Sequence, residues 1–207
     1  MTDRISQITQ IGLDFEIQAY AEGFRFIAGV DEVGRGCLAG PVVAAACILD
    51  LTKPFPKGLN DSKKLTAKRR EAIRDELKEN VVSFSVGQVE AAEIDEINIL
   101  EATKKAMCLA IEGLQTPADF LLIDALTLKD ITLPQKGIVK GDAISASIAA
   151  ASILAKTYRD DLMCEMDKTY PDYGFASHAG YGTKFHFEAL RQHGHCPLHR
   201  KTFRGVL

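Results

Sequence analysis

Long apolar runs are missing. No stretch of the 207 residues approaches the roughly 20 apolar residues that a membrane-crossing helix requires. The N-terminus, MTDRISQITQ, has no basic segment followed by an apolar one and so lacks the pattern of a secretory leader. A soluble protein of the cytoplasm, with no membrane partner, is expected. Cysteine is sparse and unpatterned. Cys37, Cys47, Cys108, Cys164 and Cys196 are odd in number, widely spread and contain no C-x-x-C pair, which argues against a disulfide framework and for a reducing compartment. Repeats and low-complexity linkers are absent too. Nor is there a large charge of one sign, since the formal net charge is −3, which removes any whole-protein electrostatic case for nucleic acid.

What charge there is lies unevenly. Residues 53–70 hold seven basic side chains (Lys53, Lys57, Lys63, Lys64, Lys68, Arg69, Arg70) against Asp61. From residue 171 onward Lys184, Arg191, Arg200, Lys201 and Arg204 outnumber Asp172 and Glu188, while acids gather in residues 90–101. A basic surface beside an acidic pocket fits this distribution; solvated helix faces are the plainer account.

The length suits one large domain, or a domain with a small appendage, burying about 70% of its unfolded surface. "ISQITQIGLDFEIQAYAEG" has a helical apolar period. "FRFIAGV" and "GPVVAAACIL" read as strands joined closely enough to pair antiparallel, and "VVSFSVGQV" and the wholly apolar "DFLLID" as further strands. "LTKPFPKGLNDSKKLT" is a loop. Helices are expected from Thr66, a fitting N-cap, from "NILEATKKAMCLAIEGL", and over "AISASIAAASILAKTYRDDLMCEMDKTY", whose small side chains let it lie close against a sheet. The segment after residue 170 reads as a small helical appendage. Together these elements predict an α/β layered fold with a mixed sheet flanked by helices.

Four carboxylates stand where apolar or neutral residues belong. Asp31 and Glu32 interrupt an apolar run, Asp124 ends a buried strand, and Asp142 sits between "IVKG" and a helix. Taken singly, Asp142 is an ordinary helix N-cap and Asp124 can begin an Asx-turn. Adjacent acids beside a core strand are harder to dismiss, because their desolvation is unfavourable unless something compensates it. A hard divalent cation, Mg²⁺ or Mn²⁺, would do so. If the strands lie side by side, Asp31 and Asp124 meet at one sheet edge and Asp142 reaches in from a helix start. Glu32 must then lie where the strand is already breaking, or reach round with its extra methylene, since neighbouring side chains point to opposite faces. Two cations about 3.5–4 Å apart, bridged by Asp31, form the two-metal arrangement for phosphodiester hydrolysis. Gly34 and Gly36 leave backbone groups free to approach a ligand such as a sugar 2′-hydroxyl, the group that distinguishes RNA from DNA.

"GVDEVGRG", "NDSKKLT", "LLID", "KGDAISASIAAASILAKTYRD", "HAGYGT" and "CPLHRKTF" occur in the order seen in bacterial ribonuclease HII, the type 2 ribonuclease H, and the chain resembles that family over about residues 26–203. The resemblance implies a ribonuclease H-like fold in residues 1–170 and, in residues 171–207, a helical extension over the substrate groove. It implies cleavage of RNA in RNA/DNA hybrids and incision 5′ of single ribonucleotides embedded in duplex DNA, leaving a 3′-hydroxyl and a 5′-phosphate, with Mn²⁺ or Mg²⁺ as cofactor. The family's four acidic ligands match Asp31, Glu32, Asp124 and Asp142. Its junction-sensing loop matches Gly34, Arg35 and Gly36, its phosphate-contacting lysine Lys63, and its sugar-stacking tyrosine Tyr181. Cys37 stands where proline is common, which bears on the stiffness of the loop. Nothing in the sequence demands more than a monomer.

Rival readings are a DNA-directed nuclease of the same fold, a binding module that has lost catalysis, and a small-molecule phosphohydrolase. "GRG" beside the acids speaks against the first, four intact acids against the second, and the basic stretches with Tyr181 against the third. "HGHCPLH" invites a zinc reading, but its spacing is not that of a familiar finger and no second cluster precedes it. His178 and His186 are expected to pack or face solvent.

Overall fold

The computed structural model describes residues 11–53, 56, 58–60 and 62–206. Residues 5–10 of the first expected helix, and Lys57 and Asp61 of the basic stretch, lie outside the described residues.

Small and branched side chains make the centre of the sheet. Strand β2 (Val42–Ile48) is buried along its whole length. With a period of two, Val42, Ala44, Ala46 and Ile48 enter one core layer, and Val43, Ala45 and Cys47 enter the other. It pairs antiparallel with β1 (Ile27–Val33) on one side and β3 (Ser83–Val89) on the other. β1 then pairs parallel with β4 (Phe120–Asp124), and β4 parallel with β5 (Gln135–Ile138). The order β3-β2-β1-β4-β5 is the expected mixed sheet.

Helices cover both faces. Helix α1 (Asp14–Ala21) leads into β1. α2 (Ala67–Asn80) begins at the expected cap, with the Thr66 side chain accepting from the Arg69 N–H. α3 (Ala91–Ile97) and α4 (Ile99–Glu112) follow β3. α5 (Ala146–Thr169) lies directly on β1, and a Cβ on Gly29 would fall 2.0 Å from the Ser147 carbonyl carbon, so only glycine permits this approach. α6 (Phe175–His178) and α7 (Lys184–His193) close the chain. Tyr173, Phe175, Ala189 and Leu190 form a core with Leu38 and Ala39 after β1 and Met163 of α5. This packing anchors the last segment to the loop beside the acids.

Four details depart from the sequence reading. β1 does not break at the acids; its pairing with β2 continues through Glu32↔Ala44 and Val33↔Val43. α3 and the edge strand β5 were not anticipated. The long helix starts at Ala146 rather than after Asp142, and its cap is Ser145, whose Oγ accepts from the Ile148 N–H at 3.3 Å. Buried Glu16 of α1 reinforces that start, its Oε1 accepting from Ser145 Oγ, Ser147 N and Ser147 Oγ at 2.7, 2.9 and 2.6 Å.

Candidate active site

The recorded pairing of the parallel neighbours β1 and β4 ends at Val30↔Ile123. Asp31, two residues before the end of β1, and Asp124, the last residue of β4, are the next residues of each strand, on the side of the sheet where open α/β folds place ligands. The Gly141 N–H donates to Asp124 Oδ1 at 2.7 Å, drawing in the short 3₁₀ turn Gly141–Ala143 that carries Asp142. Of the four described non-glycine residues with positive φ, Ala125 (53°) follows Asp124 and Lys140 (57°) stands two before Asp142. Such a conformation costs on the order of 1–2 kcal/mol per residue, so the turn that joins the acids is held against local preference.

Asp31 is buried, its Oδ1 accepting from the Glu32 N–H at 2.8 Å. Burial pushes its carboxyl well above the ordinary carboxylate range; Glu32 and Asp124 push it further, while the Ser152 hydroxyl draws it back. Burial also raises Glu32, partly offset by Arg35 and reinforced by Asp124. Burial raises Asp124, with the Gly141 N–H and Lys63 opposing and Asp142 adding to the rise. The four acids therefore lie within one another's electrostatic reach in sequence 31, 32, 124, 142. They are not drawn into one closed ligand set: among the described residues no three His, Cys, Asp or Glu side chains are grouped to hold a single ion. Each acid turns to its own donor, Glu32 Oε1 to Arg35 Nη1 at 3.3 Å and Asp142 Oδ2 to Lys63 Nζ at 3.5 Å. Glu32 Oε2 is buried with no hydrogen-bond partner. An orphaned carboxylate oxygen among acids held out of water is a donor set that fits a hard divalent cation.

After Val33 the chain turns at Gly34, whose φ is +89° and whose Cβ would fall 2.3 Å from Arg159 Nε. Gly36 differs. It has no positive φ, and a Cβ there would meet nothing within 4 Å. Nothing inside the fold demands glycine at 36, and the space beside it is open.

The family pattern described as Ribonuclease HII matches residues 28–206. The chain belongs to the ribonuclease HII family. It is 60% identical to "Ribonuclease HII" of Chlamydia caviae over 193 residues, covering 93% of this chain and 90% of that one. With "Ribonuclease HII" of Desulfitobacterium hafniense it shares 58% identity over 191 residues, 92% of this chain and 73% of the other. Among solved structures, the ribonuclease H2 of Pyrococcus horikoshii OT3 superposes with a TM-score of 0.73 at 26% identity, covering 88% of this chain and 95% of that one. Ribonuclease HII enzymes are metal-dependent endonucleases that hydrolyse RNA paired with DNA, and the ribonuclease H-like sheet is the fold found here.

Of the other expected residues, Lys63 lies beside Asp142 and Tyr181 beside Cys37, just after the 34–36 loop. Lys63 Nζ is largely exposed while reaching Asp142. Tyr181 is half-exposed, with its hydroxyl beside the Cys37 thiol. It borders a cavity of about 490 Å³ also lined by Arg70, Lys156, Asp160 and His178. Arg70 is not the solvated base that the composition suggested: it turns inward to the Ser62 and Leu65 carbonyls at 3.1 and 2.6 Å and pairs with Asp160 at 3.5 Å.

Sequence reasoning missed two further residues. Arg200, counted there as surface charge, is fully buried, and so is Arg159 of α5. Arg159 donates to the carbonyls of Pro41, Ala39 and Ala179 at 2.9, 3.0 and 2.7 Å. Arg200 donates to Gly40 at 3.0 and 2.8 Å and to the Arg35 carbonyl at 2.9 Å, and burial lowers its guanidinium to about 10. Only the position of "TYRD" and "LHRK" in quoted motifs pointed to them; charge alone suggested solvent.

The histidines pack. The Tyr181 carbonyl can only accept, so His186 Nδ1–H donates to it at 2.9 Å. His186 Nε2 then accepts from His199 Nε2–H at 3.0 Å, and His199 Nδ1 accepts from the Cys196 N–H at 3.0 Å. Ring stacking of His178 on His186, with centroids 4.6 Å apart, completes the cluster. Of the side chains in the zinc reading, Cys196 and His199 are hydrogen-bonded to each other, while His193 and His195 are exposed.

Proposed function

We propose that this member of the ribonuclease HII family incises duplex DNA on the 5′ side of a single embedded ribonucleotide, as well as cutting longer RNA/DNA hybrids, and leaves a 3′-hydroxyl and a 5′-phosphate. The observation that carries the reading is the open space at Gly36, a few residues beyond Asp31 and Glu32, carboxylates that Asp124 and, through it, Asp142 adjoin. A ribose can approach the backbone of residues 34–36 without meeting a Cβ at 36, and its 2′-hydroxyl finds main-chain donors and acceptors there. Tyr181 offers an exposed ring on which the next sugar can rest, and Lys63 offers an ammonium to a phosphate beside Asp142. The segment from residue 171 onward carries Tyr181 and forms part of the substrate groove.

Asp31, Glu32, Asp124 and Asp142 are the residues that would hold two divalent cations, Mg²⁺ or Mn²⁺. Bound there, the cations supply activation of the attacking water and stabilisation of the leaving 3′ oxygen. Asp31, the most buried of the four and raised by both Glu32 and Asp124, would be the central member of that ligand set. Glu32 Oε2 already lacks a partner, and Arg35 and Lys63 are the cations that must yield as the site is loaded. The whole site comes from one chain, consistent with a monomer, and the five thiols are all unpaired, consistent with a cytoplasmic enzyme.

Matched duplexes containing no ribonucleotide, one ribonucleotide, or a full RNA strand test the reading, each incubated with Mg²⁺ or Mn²⁺ and then with chelator. The expected result is cleavage of the second and third, a single cut 5′ of the lone ribonucleotide, and no cleavage with chelator. Cutting of the all-DNA duplex, or activity that survives chelation, contradicts it.

A further inference from the structure

The two segments assigned to substrate reading, residues 34–41 and 179–181, are far apart in sequence and must hold a fixed separation. One backbone bond joins them directly, from Leu38 N–H to the Gly180 carbonyl at 2.8 Å. The rest of the connection runs through the Arg159 guanidinium, while that of Arg200 fixes the shape of the first segment. Arg159 spans the gap by itself, giving Nε and Nη2 to Pro41 and Ala39 and Nη1 to Ala179. Its Nε also lies against Gly34, where a Cβ would collide with it. Arg200 enters from the C-terminal segment and holds Arg35 and Gly40. All these acceptors are main-chain carbonyls, and no carboxylate is paired with either guanidinium among the described residues. Burying two positive charges only to bind carbonyls is unfavourable as a way of making a core. Its return is geometric, because a planar fork with several fixed N–H directions sets the position of each carbonyl it binds.

We propose that Arg159 and Arg200 are positioning residues that fix the distance between the Gly34–Arg35–Gly36 loop and Tyr181, and so set the preference for a single ribonucleotide over a continuous hybrid. The inference rests on the substrate reading given above for those two segments. An isolated ribonucleotide presents one 2′-hydroxyl followed by one deoxyribose, so both contacts form together only at one spacing. A continuous RNA strand presents a 2′-hydroxyl in every register and has no deoxyribose for Tyr181 to select. Loosening the spacing therefore harms the first substrate more than the second, since a shift of about 1 Å at a substrate contact can reduce rate a hundredfold.

The test uses Arg159→Lys and Arg200→Lys, which keep the charge and remove the fork, with kcat and KM measured on one sequence as a single-ribonucleotide duplex and as a full RNA/DNA hybrid. For the single ribonucleotide kcat/KM is expected to fall by about tenfold or more, and for the hybrid by less than about threefold. Adding free guanidinium ion to Arg200→Ala is expected to restore part of the lost preference. Equal losses on both substrates would reduce the arginines to general supports of the fold and overturn the proposal. If a lysine variant does not fold, Arg159→Gln and Arg200→Gln, neutral and still able to donate, carry the same expectation. Tyr181→Ala run alongside separates the two levels of the argument. If it alters the preference and the arginine variants do not, only the positioning proposal fails; if it leaves the preference unchanged, the substrate reading fails and the positioning proposal with it.

Discussion

On one side of the 34–41 loop stand four carboxylates, and on the other a buried group of two arginines and two histidines, and the fold treats their polar atoms in opposite ways. Arg159 and Arg200 spend their N–H groups on carbonyls, and His186 and His199 pass hydrogen bonds from Cys196 to Tyr181. On the acidic side Glu32 Oε2 has no partner, and burial raises Asp31, Glu32 and Asp124, with Glu32 and Asp124 adding to the rise at Asp31, Asp124 at Glu32 and Asp142 at Asp124. Satisfied buried polar groups hold a structure in place, whereas unsatisfied ones store a demand that a ligand can meet. The contrast assigns chemistry to the acids and geometry to the arginines and histidines.

The sharpest way to break this comparison is to neutralise an acid. Asp31→Asn or Asp124→Asn should lower turnover on the order of a thousandfold in Mg²⁺ or Mn²⁺. Stability should move the other way. A carboxyl whose folded pKa is raised opposes folding as pH climbs above its ordinary value, because the folded protein holds that proton more tightly than the unfolded chain does. With chelator at pH 7, Asp31→Asn should therefore unfold at a higher temperature than the parent, by about 2–4 °C for each kcal/mol relieved. A lower midpoint would mean that Asp31 supports the fold.

The opposite sign is expected across the loop. Burial lowers His199 to about 4, with the charge of His186 adding to the effect, and burial lowers His186 as well. For such bases stability is fully present above the ordinary histidine value and is lost as pH falls toward the lowered one, so the window runs from 6.5 to about 4. His199→Gln should cost about 1–3 kcal/mol at pH 7 through its broken hydrogen bonds. It should also flatten the acid limb of stability, as thermal midpoints at pH 7 and pH 5 would show. An unchanged acid limb would place the titration elsewhere. The smallest effect is expected at exposed Lys63, where alanine should weaken substrate binding severalfold and reduce the slope of log affinity against log salt by about one. An unaltered slope would leave Lys63 as a partner of Asp142 and nothing more.

The acids were legible in the sequence because a carboxylate inside an apolar run breaks the pattern of the strand that carries it. The central strands were legible for the complementary reason: "VVAAAC" and "FLLI" have no polar residue to place. Strand β5 was hidden because its four residues, QKGI, show no alternation, hold a single branched side chain, Ile138, and owe their extended form to β4. α3 has no side-chain cap at Glu90 and only seven residues, so nothing local announced it. The continuation of β1 through Glu32 depends on its ladder with β2, and the start of α5 at Ser145 on Glu16, which is 129 residues away. Arg159 and Arg200 show the limit most plainly. Their partners are backbone carbonyls, which every residue possesses, so no sequence pattern can name them.

Manganese binding offers the most direct test of the central claim, that Asp31 with Glu32, Asp124 and Asp142 forms a cation site. Electron paramagnetic resonance of free Mn²⁺ during titration of the parent chain and of Asp31→Asn measures it. The account predicts saturable binding by the parent and affinity weakened by about tenfold or more in the variant. Equal binding by the two proteins would contradict it.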